Sequence, residues 1–195
     1  MVPIIPDDLV TDQVKSLLKL PDVGQIGYVV EDINHAIQEW QVAHQRVPWL
    51  VLDHNHPCIF RGKQGRCTLR IALAYSGRIQ IELIQVLDGE TIHVGSAAKP
   101  EGKIHHLGFM VRNLDGRLEY CQQQGAQLLQ RGTIKSAGLT VDYAYLDCSA
   151  VGSPDLILEL IQWRLGPLPI SANRRLFNAL RTLGSWSVFR GKIVR

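Results

Sequence analysis

Two short strings of the sequence occur twice, in the same order and at nearly the same separation. Residues 25–33 read QIGYVVEDI, and residues 106–114 read HLGFMVRNL, 81 positions later. Residues 81–85 read IELIQ, and residues 158–162 read LELIQ, 77 positions later. Self-similarity of this kind is typical of folds built from copies of one supersecondary unit. The chain is therefore predicted to contain two equivalent modules.

The predicted elements follow the same order in both modules. Each module begins with a strand that carries the first string, continues with a helix, and ends in three strands, the last of which carries the second string. The first module has a strand at 23–30, a helix at 33–44, and strands near 58–61, 67–75 and 78–86. The second has a strand at 104–111, a helix at 114–124, and strands near 127–133, 140–147 and 156–162. The predicted fold class is α+β, with two βαβββ modules.

The segments outside the modules are predicted to be helical extensions. Residues 1–22 contain an amphipathic stretch at 7–20 that ends at a proline. The two modules, 23–86 and 104–163, form one paired domain and are joined by a linker at 87–103. Residues 164–195 form a basic tail with an apolar stripe at helical spacing in 171–186.

The charge distribution argues against nucleic acid as a partner. The chain has a formal net charge of +3, but residues 164–195 hold seven basic residues and no acidic one. Residues 1–163 carry 14 basic and 18 acidic residues, a net charge of −4, whereas a nucleic-acid-binding face needs clustered basic residues. No apolar run reaches the roughly 18 residues of a membrane span, and the N-terminus lacks signal-peptide features. The protein is expected in the cytoplasm, without membrane partners.

Four side chains that could hold a metal ion fall at matching places in the two modules. Gln25 and His106 open equivalent strands, and Glu82 and Glu159 lie in the equivalent closing strands. A glutamate flanked by large aliphatic residues is costly to bury ionised unless a cation compensates it. Each residue taken alone is more often structural, but the duplicated register favours a shared ion. Two carboxylates, an amide oxygen and an imidazole nitrogen suit one Zn, Ni, Co or Mn ion.

The strings QIGYVVEDI and KIHHLGFMV, with IELIQ and LELIQ closing the modules, resemble the vicinal oxygen chelate superfamily. This superfamily includes glyoxalase I, methylmalonyl-CoA epimerase, extradiol dioxygenases and drug-resistance proteins. The resemblance covers about residues 23–163 and implies one cupped mixed sheet with the metal inside. It implies the same four ligands, because HLGF aligns with QIGY; His105 would then face the other side of its strand.

The sequence differs from some branches of the superfamily at positions that matter for their chemistry. Gln25 stands where extradiol dioxygenases need a histidine. Residues 83–86 read LIQV, whereas glutathione-dependent glyoxalases commonly have a Thr-x-Asn stretch there. The stretch from IELIQ through the linker to IHH looks more like the epimerase-like branch. The ligand order Gln, Glu, His, Glu is instead similar to that of some glyoxalase I enzymes, whereas epimerases usually have His first and Gln second.

The resemblance implies a metal-dependent isomerase, epimerase or lyase that abstracts a proton next to a carbonyl and stabilises the enolate on the metal. Glu159 is the predicted base, with Glu82 as its partner on the opposite face of the substrate. The expected substrate is a small carbonyl compound, for example an acyl-CoA or another thioester, and the expected assembly is a homodimer. Two alternatives stay open: a non-catalytic small-molecule binding or resistance protein, and a tailoring enzyme of a biosynthetic pathway that uses the same cup.

Two further features are interpreted as structural. The segment His54-Asn55-His56, next to Pro57, is predicted to be a polar loop rather than a second metal site. Trp49 is predicted to pack in the core rather than line the cup.

Overall fold

Strands from both modules join into one sheet. The computed structural model describes residues 10–44, 47–94, 103–136, 138–152, 157–171, 173–184 and 192–194. In chain order, the elements are α1 (Asp12–Leu17), β1 (Gln25–Val29), α2 (Ile33–Ala43), β2 (Trp49–Phe60), β3 (Lys63–Ser76), β4 (Ile79–Gly89), β5 (His106–Met110), α3 (Leu114–Gln123), β6 (Gln127–Ser136), β7 (Leu139–Asp147), β8 (Ile157–Leu165), β9 (Leu168–Ile170), α4 (Arg174–Gly184) and β10 (Lys192–Val194). Among the described helices, none is long and apolar enough to cross a membrane.

The strand order reflects the sequence repeat. The strands lie in the order β10-β2-β3-β4-β1-β5-β8-β7-β6, and an additional pairing of β2 with β6 brings the two ends of the sheet together. In each module the first strand runs parallel to the last, β1 beside β4 and β5 beside β8. The modules meet where β1 and β5 pair antiparallel. This arrangement confirms the predicted α+β fold with two βαβββ modules and a cupped mixed sheet.

The equivalent positions of the two repeated strings have a structural role at the helix starts. Asp32 and Asn113, at equivalent places in the first string, are the N-caps of α2 and α3, and their side chains accept from the amides of His35 and Gly116. The glutamines that end the second string act at the same helix ends. Gln85 Oε1 accepts from the amide of Ile33 at 3.3 Å, and Gln162 Oε1 accepts from that of Leu114 at 2.9 Å. The repeat therefore supplies partners for backbone donors that a helix start leaves unpaired.

Alternation along the strands separates the core from the cup. Ile81 and Leu83 of β4 belong to the main hydrophobic core, together with Ile33 and Ile37 of α2. Glu82 lies between them in sequence and points to the opposite side of the sheet, because successive side chains in a strand alternate. The same alternation in β8 buries Leu158 and Leu160 in the core. The helices thus cover one face, and the glutamates are directed into the cup on the other.

A glycine in β1 allows two candidate ligands to approach each other. Gly27 is paired with Glu82 on β4 and with His106 on β5, so it lies between them in the sheet. A Cβ atom at Gly27 would overlap the imidazole of His106. The ring occupies the space above Gly27 because that residue has no side chain.

The equivalent glycine of the second module has the same relation to the other two candidates. Gly108 is paired with Gln25 on β1 and with Glu159 on β8. A Cβ atom there would lie 2.7 Å from Oε1 of Gln25. The glycine of each string therefore makes room for the first residue of the other string.

The prediction of a loop around Pro57 is wrong, because β2 runs without interruption from Trp49 to Phe60. Asp53 to Pro57 pair with β3, so His54 and His56 are strand residues. On the other side, β10 pairs with residues 49–51 and β6 with residues 58–60, and the described pairings leave the stretch between open. A proline, which cannot donate to a ladder, is tolerated at such an open edge. The predicted packing of Trp49 is confirmed: it is fully buried, edge-to-face against Trp40.

The terminal extensions are only partly as predicted. Helix α1 occupies residues 12–17 of the predicted 7–20, and residues 1–9 lie outside the described part of the chain. In the tail, α4 lies within the predicted 171–186, and its Phe177 is buried against Tyr75, with ring centroids 5.2 Å apart. The tail also contains strands that the sequence did not predict, β9 beside β8 and β10 beside β2.

Replacing Gly27 with alanine is expected to destabilise the protein, because the added methyl group must displace the buried ring of His106. Overpacking of this kind costs about 1–3 kcal/mol. Gly65→Ala is the matched control, since Gly65 also lies in a strand but a Cβ there meets no atom within 4 Å. Denaturant unfolding should show a lower free energy for Gly27→Ala only. Equal stability of the two variants would contradict the close packing at Gly27.

Candidate active site

The concave side of the sheet forms an open cavity, with about 650 Å³ of space when the solvent at its mouth is included. Its walls come from both modules, and nine of the 17 lining residues are apolar. The apolar lining residues are Leu52, Leu69, Ile71, Leu73, Ile84, Ile134, Val141, Ile161 and Trp163. The polar lining residues are Gln25, His54, Gln80, Glu82, His93, Tyr143, Tyr145 and Glu159. An apolar cavity with a few convergent polar groups is the usual form of a small-molecule site.

Three of the four predicted ligands meet beside this cavity. His106 Nε2 lies 3.2 Å from Oε2 of Glu82 and 3.2 Å from Oε2 of Glu159. One donor atom from each of the three residues can be chosen so that all lie within 4.8 Å of one another. Gln25, the fourth, lines the same cavity, and its Nε2 donates to Oε1 of Gln80 at 2.9 Å. The amide nitrogen is therefore used, and the amide oxygen remains as a potential ligand.

The unpaired atoms of this cluster fit a cation. Gln25 Oε1, Glu82 Oε2, His106 Nε2 and Glu159 Oε2 are all buried, and apart from the 3.2 Å ion-pair contacts of His106 with the two glutamates none has a polar partner within the described part of the chain. Buried polar atoms nearly always have a partner, since an unsatisfied one costs about 1–3 kcal/mol and more when charged. Two carboxylates, one imidazole nitrogen and one amide oxygen form a donor set that a divalent ion can satisfy. The cluster can hold a metal ion.

The electrostatics of the cluster depend on the two carboxylates. Burial by itself lowers the pKa of His106, but the charges of Glu159 and Glu82 and their contacts with the ring outweigh this and raise the pKa to about 9. Burial raises the pKa of Glu82, and the nearby Glu159 raises it further, against the opposing effect of His106. Without a metal, His106 is therefore protonated at neutral pH and acts as the counter-ion of the glutamates. A bound ion must displace this proton.

His105 was expected to face the other side of its strand from His106. Instead, it lies beside the cluster. It precedes the first residue of β5, and its amide donates to the carbonyl of Gly27 at 2.8 Å. Its side chain is buried, with Nδ1 3.0 Å from Nδ1 of His106. When His106 uses Nε2 as a ligand atom, its Nδ1 carries the proton and donates to His105. A metal-binding histidine is commonly oriented by such a bond.

A second buried histidine of the cavity, His93, was missed by the sequence reasoning. It lies in the segment between the modules, outside both repeated strings, so no register or spacing marked it. Burial, followed by the nearby histidines, lowers its pKa well below 6.5, and the ring is neutral. Its Nε2 is buried without a hydrogen bond among the described residues, and the side chain lines the cavity.

Hydrogen bonds behind His93 determine which of its nitrogens carries the proton. Gln130 Oε1 accepts from the amide of Ile92 and from the hydroxyl of Thr91, both at 2.9 Å. The single Thr91 proton is therefore used, and its oxygen must accept from Nδ1 of His93 at 2.8 Å. In the neutral ring Nε2 is then unprotonated. His93 presents a hydrogen-bond acceptor to the cavity.

Removing the Thr91 hydroxyl is expected to change which ring nitrogen of His93 carries the proton. In 15N-histidine-labelled, metal-free protein, long-range proton–nitrogen correlation spectra should show His93 protonated at Nδ1 and bare at Nε2 at about pH 7. Thr91→Val should shift the population towards the other tautomer, because the acceptor for Nδ1–H is lost. Thr68→Val, on the outer face of β3, is the control and should leave the His93 signals unchanged. A wild-type spectrum with Nε2 protonated would contradict the assignment.

Comparisons with known proteins show the family and the fold of this chain. The sequence pattern of the glyoxalase/bleomycin resistance protein/dioxygenase superfamily matches residues 24–145. A search of curated proteins finds none with significant similarity to the chain. Among solved structures, methylmalonyl-CoA epimerase from Mycobacterium tuberculosis is similar, with a TM-score of 0.50 and 20% identity, covering 73% of this chain and 87% of that one.

Two further epimerase structures have the same fold. A variant of methylmalonyl-CoA epimerase from Streptomyces coelicolor, in complex with 2-nitronate-propionyl-CoA, has a TM-score of 0.50 and 15% identity, covering 73% of this chain and 96% of that one. A methylmalonyl-CoA epimerase in complex with methylmalonyl-CoA and NH4+ has a TM-score of 0.50 and 17% identity, covering 73% of this chain and 94% of that one. At these identities the likeness concerns the fold.

Proposed function

This chain belongs to the glyoxalase/bleomycin resistance protein/dioxygenase superfamily, and from that premise we propose that it is a metal-dependent isomerase, epimerase or lyase. The proposed reaction removes a proton from the carbon next to a carbonyl group. The observation that carries the proposal is the set of four buried ligand atoms, two carboxylate oxygens, an imidazole nitrogen and an amide oxygen, gathered beside an apolar cup. The similarity in fold to methylmalonyl-CoA epimerases supports epimerase-like chemistry within this range.

The proposed ligands of one Zn, Ni, Co or Mn ion are Gln25, Glu82, His106 and Glu159. When bound, such an ion supplies a Lewis acid that polarises the carbonyl oxygen of the substrate. His106 would be oriented by His105 through the 3.0 Å contact between their Nδ1 atoms. Gln25 would be held by the bond from its Nε2 to Gln80.

The two glutamates are proposed to move the proton. Glu159 accepts the proton from the carbon, and the electron pair of the broken C–H bond passes to the carbonyl oxygen, giving an enolate. Glu82, which also lies 3.2 Å from the His106 ring nitrogen, would take up a proton from solvent beforehand and deliver it to the opposite face of the carbon. The electron pair of the enolate forms the new C–H bond, and Glu159 then releases its proton to solvent. A carboxylate has two oxygens, so one can contact the ion while the other handles the proton. The aliphatic walls keep water from the carbanionic carbon.

The proposed substrate is a small carbonyl compound such as an acyl-CoA or another thioester. The structural neighbour crystallised with methylmalonyl-CoA supports a thioester. A non-catalytic binding or resistance protein would use the same cup, but it would not need two inward glutamates. A tailoring enzyme of a biosynthetic pathway would keep the proposed chemistry and differ in its substrate.

Metal binding is expected to release a proton at neutral pH, because His106 is protonated in the metal-free protein and must lose its proton to act as a ligand. Its pKa of about 9 means that apparent affinity should fall about tenfold per pH unit below that value. Calorimetry with Zn²⁺ or Co²⁺ in buffers of different ionisation enthalpy measures both quantities. His54→Ala, which alters a cavity residue outside the ligand set, is the control. Failure of the wild type to bind either ion would remove the proposed site.

Glu159→Gln is expected to separate the two roles of the glutamate. The amide oxygen can still contact an ion, but the side chain can no longer accept a proton, so turnover should fall by at least about 10²-fold. Glu159→Ala should lose bound metal as well. Proton exchange next to the carbonyl, followed by NMR in deuterated water with a panel of thioesters, is the measurement, and the exposed Glu39→Gln is the control. Full activity of Glu159→Gln would place the base elsewhere, with Glu82→Gln as the next variant to assay.

The assembly and location remain proposals. We expect a homodimer in the cytoplasm, with no nucleic-acid or membrane partner. Size-exclusion chromatography with light scattering measures the oligomeric state directly.

A further inference from the structure

We propose that the part of the substrate that enters the cup is neutral and hydrophobic, and that a carboxylate-bearing acyl group is disfavoured there. This specificity rests on the proposed function for its reaction, but the binding preference can be measured without turnover. The proposed acyl group is uncharged, whereas that of methylmalonyl-CoA, the ligand of one structural neighbour, carries a carboxylate.

The walls of the cup are hydrophobic in both modules. Leu69, Ile71 and Leu73 of β3 form part of one wall, and Ile134, Val141 and Ile161 of β6, β7 and β8 form part of the other. The polar groups between them are hydroxyls, amides, imidazoles and the two glutamates. A hydrophobic ligand body gains by leaving water for such walls.

Strand alternation places two basic residues of these strands, Arg70 and Arg164, on the outside. Arg70 lies between Leu69 and Ile71 and binds Asp53 with its Nε at 2.7 Å. Arg164 follows Trp163 in β8 and binds Asp142 with its Nη2 at 2.6 Å. In both cases the inward neighbour is apolar and the cation is paired on the outer face.

The cup therefore has no cationic side chain for a ligand carboxylate, as far as the described residues show. Among them, no lysine or arginine lines the cavity. The charged side chains that do line it, Glu82 and Glu159, are the proposed partners of the metal ion and offer a ligand carboxylate no positive charge. A carboxylate at the end of the ligand's acyl chain would lose its water against the aliphatic walls, and no positive charge there would compensate for the loss. A neutral chain of the same length meets no such cost.

Two thioesters of equal chain length test the preference. Hexanoyl- and adipoyl-N-acetylcysteamine differ only in the terminal carboxylate of the adipoyl chain. Isothermal titration of the full-length, Zn²⁺-loaded protein should show the hexanoyl compound binding at least about tenfold more tightly. The same pair is then assayed for proton exchange in deuterated water.

Matched variants test whether the wall is the cause. Ile71→Lys places a cation in the cup and should reduce or reverse the preference for the hexanoyl compound. Thr68→Lys places the same charge on β3 but on the outer face, beside Asn55, and should leave the preference unchanged. Thermal unfolding of both variants, compared with the wild type, verifies that they are folded.

The outcomes separate this inference from the proposed function. Tighter hexanoyl binding without proton exchange supports the neutral cup and counts against the proposed reaction. Equal or tighter binding of the adipoyl compound overturns the inference, whether or not exchange occurs. Binding of neither compound overturns it as well. A preference that is unchanged in Ile71→Lys shows that the walls do not cause it.

Discussion

Two carboxylates buried against one imidazole impose the main constraint on this structure. Glu82 and Glu159 each place an oxygen 3.2 Å from Nε2 of His106, and all three side chains are almost fully buried. Removing such charges from water is costly unless a cation compensates them. In the metal-free protein the protonated His106 is that cation, and the two glutamates raise its pKa. A divalent ion meets the same demand and leaves the ring neutral.

The fold provides this cluster through the close approach of four strands. Gly27 and Gly108 lie between the candidate ligands in the sheet, and the absence of their side chains lets residues on neighbouring strands meet above them. The caps supplied by both repeated strings hold the helices against the opposite face. The repeat thus serves two purposes: it completes the helix starts and it clears space for the site. The capping residues act on the helix of their own module, and the glycines make room for residues of the other module.

The face of the sheet on which each residue lies decides what the cup can accept. Strand alternation directs aliphatic residues inward and paired arginines outward along the same strands. The result is a cavity with strong charge at one point and hydrophobic walls elsewhere. Chemistry at a carbonyl group with a hydrophobic substituent matches that distribution.

The sequence alone determined the duplicated βαβββ order, the α+β class and the four candidate ligands, because those features are local periodicity and register, which a repeat states twice. It failed at β2, where Pro57 resembles a loop signal but occupies an open stretch of strand edge. It also missed His93, whose role depends on Thr91 and Gln130, residues 39 positions apart that meet only after folding. Gln25 and His106 could be named from the sequence, but their separation, burial and protonation follow from the antiparallel pairing of β1 and β5. Only the tertiary structure decided these, because long-range strand pairing brings together groups that no local pattern relates.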